Sequence, residues 1–222
     1  GFGPRYYYFH LLAALARFAP LWVVCFVLQA LCTIALAIAS ALAARSWFNS
    51  SLAGLLASSA AVLVMPFYLG NEGAAWTNIL TPTSPAVMLA VVGVSLAVKG
   101  RAELSAVAFG LSAVFHPLVG LEAGGLSLTT ILIGQTIANA RKSNFALRSA
   151  VIPFLRSALI LFLFSLLWLV PALRASEFRQ SLPDRVFIDT LAWYRAPHHY
   201  LPSQWPRADF LWAGVFLVAI AL

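Results

Sequence analysis

Residues 21–43 read LWVVCFVLQALCTIALAIASALA and include no charged side chain. A helix of about 20 such residues crosses the hydrocarbon core of a bilayer. Outward from this stretch, further apolar segments follow along the chain. They are residues 52–69, 86–98, 104–121, 124–140 and 149–173, and one that begins near Phe210. The sequence therefore predicts an all-α fold, a polytopic transmembrane helix bundle with about seven spans.

The composition supports this class of protein. Hydrophobic residues make up 62% of the 222-residue chain and charged residues only 9%, whereas soluble domains carry about 25% charged residues. In a soluble domain the net charge of +7 would suggest a nucleic-acid partner. Here the cations are spread over short connections between apolar segments, where they face anionic lipid headgroups. Membrane lipids are thus predicted partners, and nucleic acid is not.

Three segments define the predicted organisation. Because the chain starts without Met and ends within an apolar run, residues 1–222 are interpreted as a single transmembrane domain cut from a longer protein. Residues 4–19 hold three tyrosines and two arginines, which suit the headgroup layer and predict an interfacial helix. Residues 174–209 follow the span 149–173 and are predicted to form a long loop outside the membrane.

The distribution of Lys and Arg predicts which side each connection occupies, because cytoplasmic loops retain positive charge. The cationic connections carry Arg45, then Lys99 and Arg101, then Arg141, Lys142 and Arg148. The connections between them, residues 70–85 and 120–124, have no Lys or Arg but one acid each, Glu72 and Glu122. Loops 70–85, 120–124 and 174–209 are therefore predicted to share the outer face with His116.

The two short spans, 86–98 and 124–140, fall below the length that an average bilayer requires, and short helices often border a cavity. Ser84 is predicted to cap the first of them, with Pro85 at the first helical position. Near the other, His116 precedes a proline that removes a helical hydrogen bond. The His116 ring is expected either to bond a carbonyl freed by that proline or to bind substrate, with Glu122 as its partner across the turn.

The block from Trp193 to Arg207, WYRAPHHYLPSQWPR, holds two of the four histidines and two of the seven tryptophans. Arg195 offers fork-shaped donors beside His198 and His199, and Trp193 and Trp205 offer aromatic faces. This combination fits a phosphate or pyrophosphate headgroup, or a sugar stacked on an indole. For the aromatic residues, the alternative is an ordinary interfacial belt.

Metal and cofactor sites are not indicated. Adjacent histidines diverge by about 100° on a helix, and no further residues with ligand spacing accompany them. Cys25 and Cys32 lie seven residues apart on one apolar helix and are expected to pack as small hydrophobic side chains. No nucleotide fingerprint or phosphate-binding glycine loop occurs. The sequence therefore predicts no metal and no cofactor.

Several stretches resemble known membrane proteins. Residues 6–17, YYYFHLLAALAR, resemble the helix that precedes a span in GT-C type integral membrane glycosyltransferases. Residues 81–117, with TPTSP, KGR and AFGLSAVFHP, resemble a unit of that group formed by a loop, a short helix, a basic turn and a Gly-Leu-x-Ala helix. Residues 195–199, RAPHH, resemble the Arg-x-Pro-His-His of bacterial multi-pass membrane proteins.

The resemblance implies a bacterial inner membrane location, an active site that faces the periplasm, and periplasmic loops at 70–85, 120–124 and 174–209. The family's catalytic carboxylate lies in a first outer loop that is not recognisable in this chain, so the catalytic residues are unassigned.

The leading hypothesis is a GT-C-like membrane protein that binds a polyprenyl-phosphate-linked sugar at its periplasmic face and carries out glycosyl transfer. The candidate substrate-binding residues are Arg195, His198 and His199 for the phosphate, His116, Glu122 and Glu72 on the same face, and Trp193 and Trp205 for stacking on a sugar. The alternative is a non-enzymatic structural or accessory subunit that docks other membrane subunits, since aromatic and Arg side chains also anchor interfaces. A transporter is the third hypothesis and draws on the short spans.

Overall fold

The computed structural model describes residues 6–63, 80–140 and 147–176, together with Leu211. These residues form seven α-helices and no strand, so the all-α prediction is confirmed for this part of the chain. The helices are α1 (Tyr6–Leu15), α2 (Leu21–Phe48), α3 (Ser51–Leu63), α4 (Thr83–Val98), α5 (Ala102–Phe115), α6 (Pro117–Ala140) and α7 (Leu147–Ser176). Apart from Leu211, the described residues belong to one compact unit.

Three of the described helices contain stretches long and apolar enough to cross a membrane. The stretches are Leu21–Phe48, Pro117–Gly134 and Val151–Val170. Large apolar side chains on α2 face outward, and Trp22 and Phe26 are 74% and 72% exposed. An extended apolar surface of this kind suits lipid rather than water. The apolar helices α3, α4 and α5 are shorter, so the described residues support membrane association without establishing seven spans.

Helix α5 lies at the centre of the described bundle. It packs against α4, α6 and α7, and eight of its 14 residues are buried. Phe109 of α5 is fully buried and packs in a core with Leu128 of α6 and Leu161 of α7. Small residues let the neighbouring backbones come close to α5, as is usual where lipid provides no hydrophobic gain for helix association.

The predicted boundary between spans 104–121 and 124–140 is wrong. Helix α5 ends at Phe115 and α6 begins at Pro117, so His116 is the whole connection. His116 is extended, with φ −147° and ψ 99°, because a proline disfavours the helical conformation in the residue before it. Pro117 itself suits the first position of a helix. The predicted outer loop 120–124 is therefore helical, and α6, with 24 residues, is not a short span.

The predicted start of the preceding short span is also wrong. Helix α4 begins at Thr83, so Ser84 is not its N-cap and Pro85 is not its first residue. Proline is tolerated there because backbone N–H groups in the first turn have no intrahelical acceptor. The Ser84 hydroxyl still accepts a hydrogen bond from the Thr81 N–H at 3.4 Å, so it serves the turn that leads into α4.

Helix α1 is shorter than the predicted segment, and helix α2 is longer. Within the predicted interfacial helix 4–19, the described helix runs from Tyr6 to Leu15. Helix α2 continues past residue 43 through Arg45 to Phe48, and the left-handed Asn49 (φ 49°) ends it. Arg45 therefore lies in the last turn of a helix rather than in a loop.

Candidate functional site

The antiparallel pair α4 and α5 shows which residues lie level with the connection between α5 and α6. The Ser105 hydroxyl donates to the Gly93 carbonyl at 2.8 Å, and the Ser112 hydroxyl donates to the Ala86 carbonyl at 2.7 Å. The two serines are seven residues apart on α5, and their acceptors are seven residues apart on α4 in the opposite direction. The two antiparallel helices therefore keep one register along their length. The residue that follows α5 therefore lies level with the start of α4.

His116 is that residue, and its backbone is held on both sides. Its N–H donates to the Ser112 carbonyl at 2.9 Å, and its carbonyl accepts from the Gly120 N–H at 3.2 Å. Ser112 therefore contacts both α4, through its hydroxyl, and the backbone of His116. The side chain of His116 is half-buried. We call this end of the bundle the His116 end.

Helix α7 runs parallel to α5 and ends at the His116 end. Near the start of α5, an oxygen of Glu103 lies 3.5 Å from a nitrogen of Arg156. Further along, a Cβ placed on Gly110 would lie 2.5 Å from the ring of Phe164. The numbers rise together along both helices, so the last residue of α7, Ser176, lies toward the His116 end. The chain therefore leaves α7 at this end.

Tyr8 connects α1 to the start of α4. It is 5% exposed, and its hydroxyl donates a hydrogen bond to the Leu80 carbonyl at 2.9 Å. Burial, and then the charges of Cys25 and Cys32, raise the pKa of Tyr8 to about 12. Helix α1 has only 10 residues, too few to cross a bilayer. The bond from Tyr8 to Leu80 holds this short helix against the His116 end.

Replacement of Tyr8 by Phe is expected to remove a pH-dependent part of the stability. The pKa of Tyr8 rises from the ordinary value of 10.0 to about 12 on folding, so folding favours the neutral phenol. This contribution is complete below pH 10 and is lost as the pH rises to about 12. While the phenol is neutral, the variant lacks only its hydrogen bond to Leu80, which is worth about 1 kcal/mol.

The measurement compares the free energies of unfolding of native protein and Tyr8→Phe in detergent, from below pH 10 to about pH 12. The stability advantage of native protein should shrink across this window and then reverse, because a pKa difference of about two units outweighs a hydrogen bond worth about 1 kcal/mol. A difference that stays constant with pH would contradict the role of the buried phenol.

Glu122 lies on the exposed surface of α6, within the helix rather than in a loop. It follows His116 by six residues, whereas side chains on one face of a helix are three or four residues apart. The turn across which Glu122 was expected to pair with His116 does not exist, since α6 is continuous between them. The interpretation of Glu122 as a turn residue is therefore wrong.

The other predicted site residues lie outside the described residues. They are Glu72, Trp193, Arg195, His198, His199 and Trp205. Their convergence with His116 stays a prediction. Within the described ranges, no group of three His, Cys, Asp or Glu side chains could hold a metal ion.

Comparisons with known proteins find no protein family, no curated protein and no solved structure that matches the chain. The resemblance to GT-C type glycosyltransferases therefore stays a prediction.

Sequence reasoning missed the residues that hold the His116 end together. Gly120 and Gly124 are four residues apart on α6, the spacing that brings membrane helices into close contact. Both face α5: a Cβ on Gly124 would lie 3.1 Å from the Cβ of Phe109, and one on Gly120 would overlap the backbone of Ala113. The spacing was a usable signal, but the same glycines also suggest a turn.

Proposed function

We propose that this chain is an integral membrane protein that binds a polyprenyl-phosphate-linked sugar at its His116 end and transfers the sugar to an acceptor. One observation carries the proposal: the described helices bring the chain to this end at Leu80, where the segment with Glu72 ends, and at Ser176, after which the segment with Arg195 begins. His116 lies between these two points in sequence and at the same end of the bundle.

The residue types suit such a ligand. The guanidinium of Arg195 can donate two parallel hydrogen bonds to a phosphate, and a neighbouring histidine can add another. Indole rings of Trp193 or Trp205 offer a face for a sugar. In the transfer, the acceptor oxygen bonds to the anomeric carbon and the bond from that carbon to the phosphate oxygen breaks. The lipid phosphate leaves with the electron pair, and a carboxylate takes the acceptor proton.

The structure bears on the competing transporter hypothesis. That hypothesis draws on two short spans, and one of them is the 24-residue helix α6. Its structural basis is therefore weaker than the sequence suggested, and the binding of an anionic lipid-linked substrate is the function that we favour.

Arg195→Ala is expected to weaken binding of a polyprenyl-phosphate-linked sugar by about tenfold or more, since a hydrogen bond to a charged group is worth about 1.5–3 kcal/mol. His198→Ala should weaken it by a smaller factor. Binding of the labelled lipid-linked sugar to purified protein in detergent measures both effects, and release of polyprenyl phosphate reports turnover.

Arg45→Ala is the matched control, because Arg45 is an exposed arginine in the last turn of α2. It should bind the lipid-linked sugar as the native chain does. Unchanged binding and turnover in both Arg195→Ala and His198→Ala would refute the proposed function.

A further inference from the structure

The described bundle has a second polar end, opposite the His116 end. Lys99, Gly100 and Arg101 connect α4 to α5, and both cationic side chains are exposed. Gly100 adopts φ +73°, and no atom lies within 4 Å of the position where its Cβ would be. This connection is a tight basic turn that projects away from the packed core.

Arg45 lies at the same end. The Tyr8 hydroxyl lies within electrostatic reach of Cys25 and Cys32 in α2 and bonds to Leu80 before α4, so the first half of α2 lies beside the start of α4. The two helices also pack side by side. The 20 residues from Cys25 to Arg45 rise about 30 Å, and the 16 residues of α4 rise about 24 Å. Arg45 and the basic turn therefore lie at similar depth.

The one ion pair found among the described residues does not include Arg45, Lys99 or Arg101. Arg156 of α7 lies 3.5 Å from Glu103 in the first turn of α5. The other acid in the described ranges, Glu122, lies six residues after His116 on α6, toward the opposite end. Apart from the pair of Arg156 and Glu103, the exposed charges at this end of the described bundle are therefore all positive. They belong to Arg45, Lys99 and Arg101. We call these three residues the basic end.

Exposed aromatic side chains accompany the basic end. Trp47 and Phe48, which complete α2 after Arg45, are 65% and 68% exposed. Aromatic side chains concentrate at the depth of lipid headgroups, where one side is apolar and the other wet. A phospholipid satisfies both features, because its phosphate meets the cations and its acyl chains meet the aromatic rings and the apolar helix surface. A soluble polyanion would meet only the cations.

We infer that the basic end binds the headgroups of anionic phospholipids and prefers them to zwitterionic ones. This surface is separate from the proposed sugar-lipid site, so either inference can fail without the other. Each cation near an anionic membrane surface contributes about 1 kcal/mol, which corresponds to about a fivefold preference.

The test uses the whole chain in lipid nanodiscs. Brominated phosphatidylglycerol and brominated phosphatidylcholine, each diluted into unbrominated phosphatidylcholine, quench tryptophan fluorescence, and their ratio measures the lipid preference. Native protein should prefer phosphatidylglycerol several-fold, and added salt should reduce that preference because it screens exposed charges. The triple variant Arg45→Gln, Lys99→Gln, Arg101→Gln should lose most of the preference.

Two controls separate a local site from general charge. Arg17→Gln removes one exposed cation that follows α1 and should keep the preference. The double variant Arg45→Lys, Arg101→Lys retains the charge and should also keep it. The inference is overturned if native protein shows no preference, if the triple variant retains it, or if Arg17→Gln reduces it as much as the triple variant does.

Discussion

Gly120→Ala is expected to lower the free energy of unfolding by about 3 kcal/mol, at the upper end of the range for overpacking of a core. Helices α5 and α6 are joined by His116 alone, so they must cross within one turn of their junction. A Cβ on Gly120 would overlap the backbone of Ala113 and approach the Phe109 carbonyl within 2.6 Å. Because these are backbone atoms, no side-chain rotation relieves the contact, and the two helices have to separate.

Gly125→Ala in the same helix provides the matched control. No atom lies within 4 Å of the position of its Cβ, and the residue is exposed. An alanine backbone loses less conformational entropy than a glycine backbone when a helix forms. This variant should therefore be more stable than native protein by about 0.5–1 kcal/mol. The two substitutions add the same atom to α6 and should change stability in opposite directions.

Reversible unfolding by denaturing detergent in mixed micelles, followed by far-UV circular dichroism, measures both variants. If the two glycine variants change stability by the same amount, the close crossing of α5 and α6 is incorrect. Because His116 is held by Ser112 and Gly120, the same crossing fixes its backbone at the proposed site. Gly120→Ala should therefore also weaken binding of the lipid-linked sugar, whereas Gly125→Ala should not.

The sequence predicted the helices best where the apolar segments are longest. Residues 21–43 lie within α2 and residues 149–173 within α7, because a long apolar run in lipid must satisfy its backbone hydrogen bonds internally. The prediction failed at residues 116–124. There Gly120 and Gly124 suggested a turn. The helix instead ends before His116, because Pro117 disfavours the helical conformation in the residue that precedes it. Glycine permits both a turn and a close helix contact, and the chain uses it for the contact.

The candidate site was less predictable than the helices. The bond from Tyr8 to Leu80 joins residues 72 positions apart, and no local pattern predicts a partner at that distance. The serine bonds between α4 and α5 were equally hard to predict. An isolated serine in an apolar helix usually donates to a carbonyl of its own helix, as Ser165 does at 2.8 Å. By contrast, the basic turn at Lys99 and Arg101 was evident from sequence, because charge interrupts an apolar pattern.

The second large effect concerns Phe109, around which the bundle packs. Phe109→Ala is expected to lower the free energy of unfolding by about 3–5 kcal/mol, as is usual when a buried aromatic side chain is removed and leaves a cavity. A Cβ on Gly93 of α4 would lie 2.6 Å from the Phe109 ring. Gly93→Ala alone should therefore also destabilise the protein, by about 1–3 kcal/mol, because the fully buried ring has no space into which to move.

The double variant Gly93→Ala, Phe109→Ala distinguishes this packing from two independent defects. With the ring removed, the new methyl group occupies part of the cavity, so the double variant should be no less stable than Phe109→Ala. The coupling energy between the two substitutions should then be at least about 1 kcal/mol. Phe162→Ala, which removes a side chain 57% exposed on α7, is the control and should change stability by less than about 1 kcal/mol. Additive effects of the two core substitutions, measured by the same unfolding assay, would mean that Phe109 does not pack against Gly93 and that α4 and α5 meet in another register.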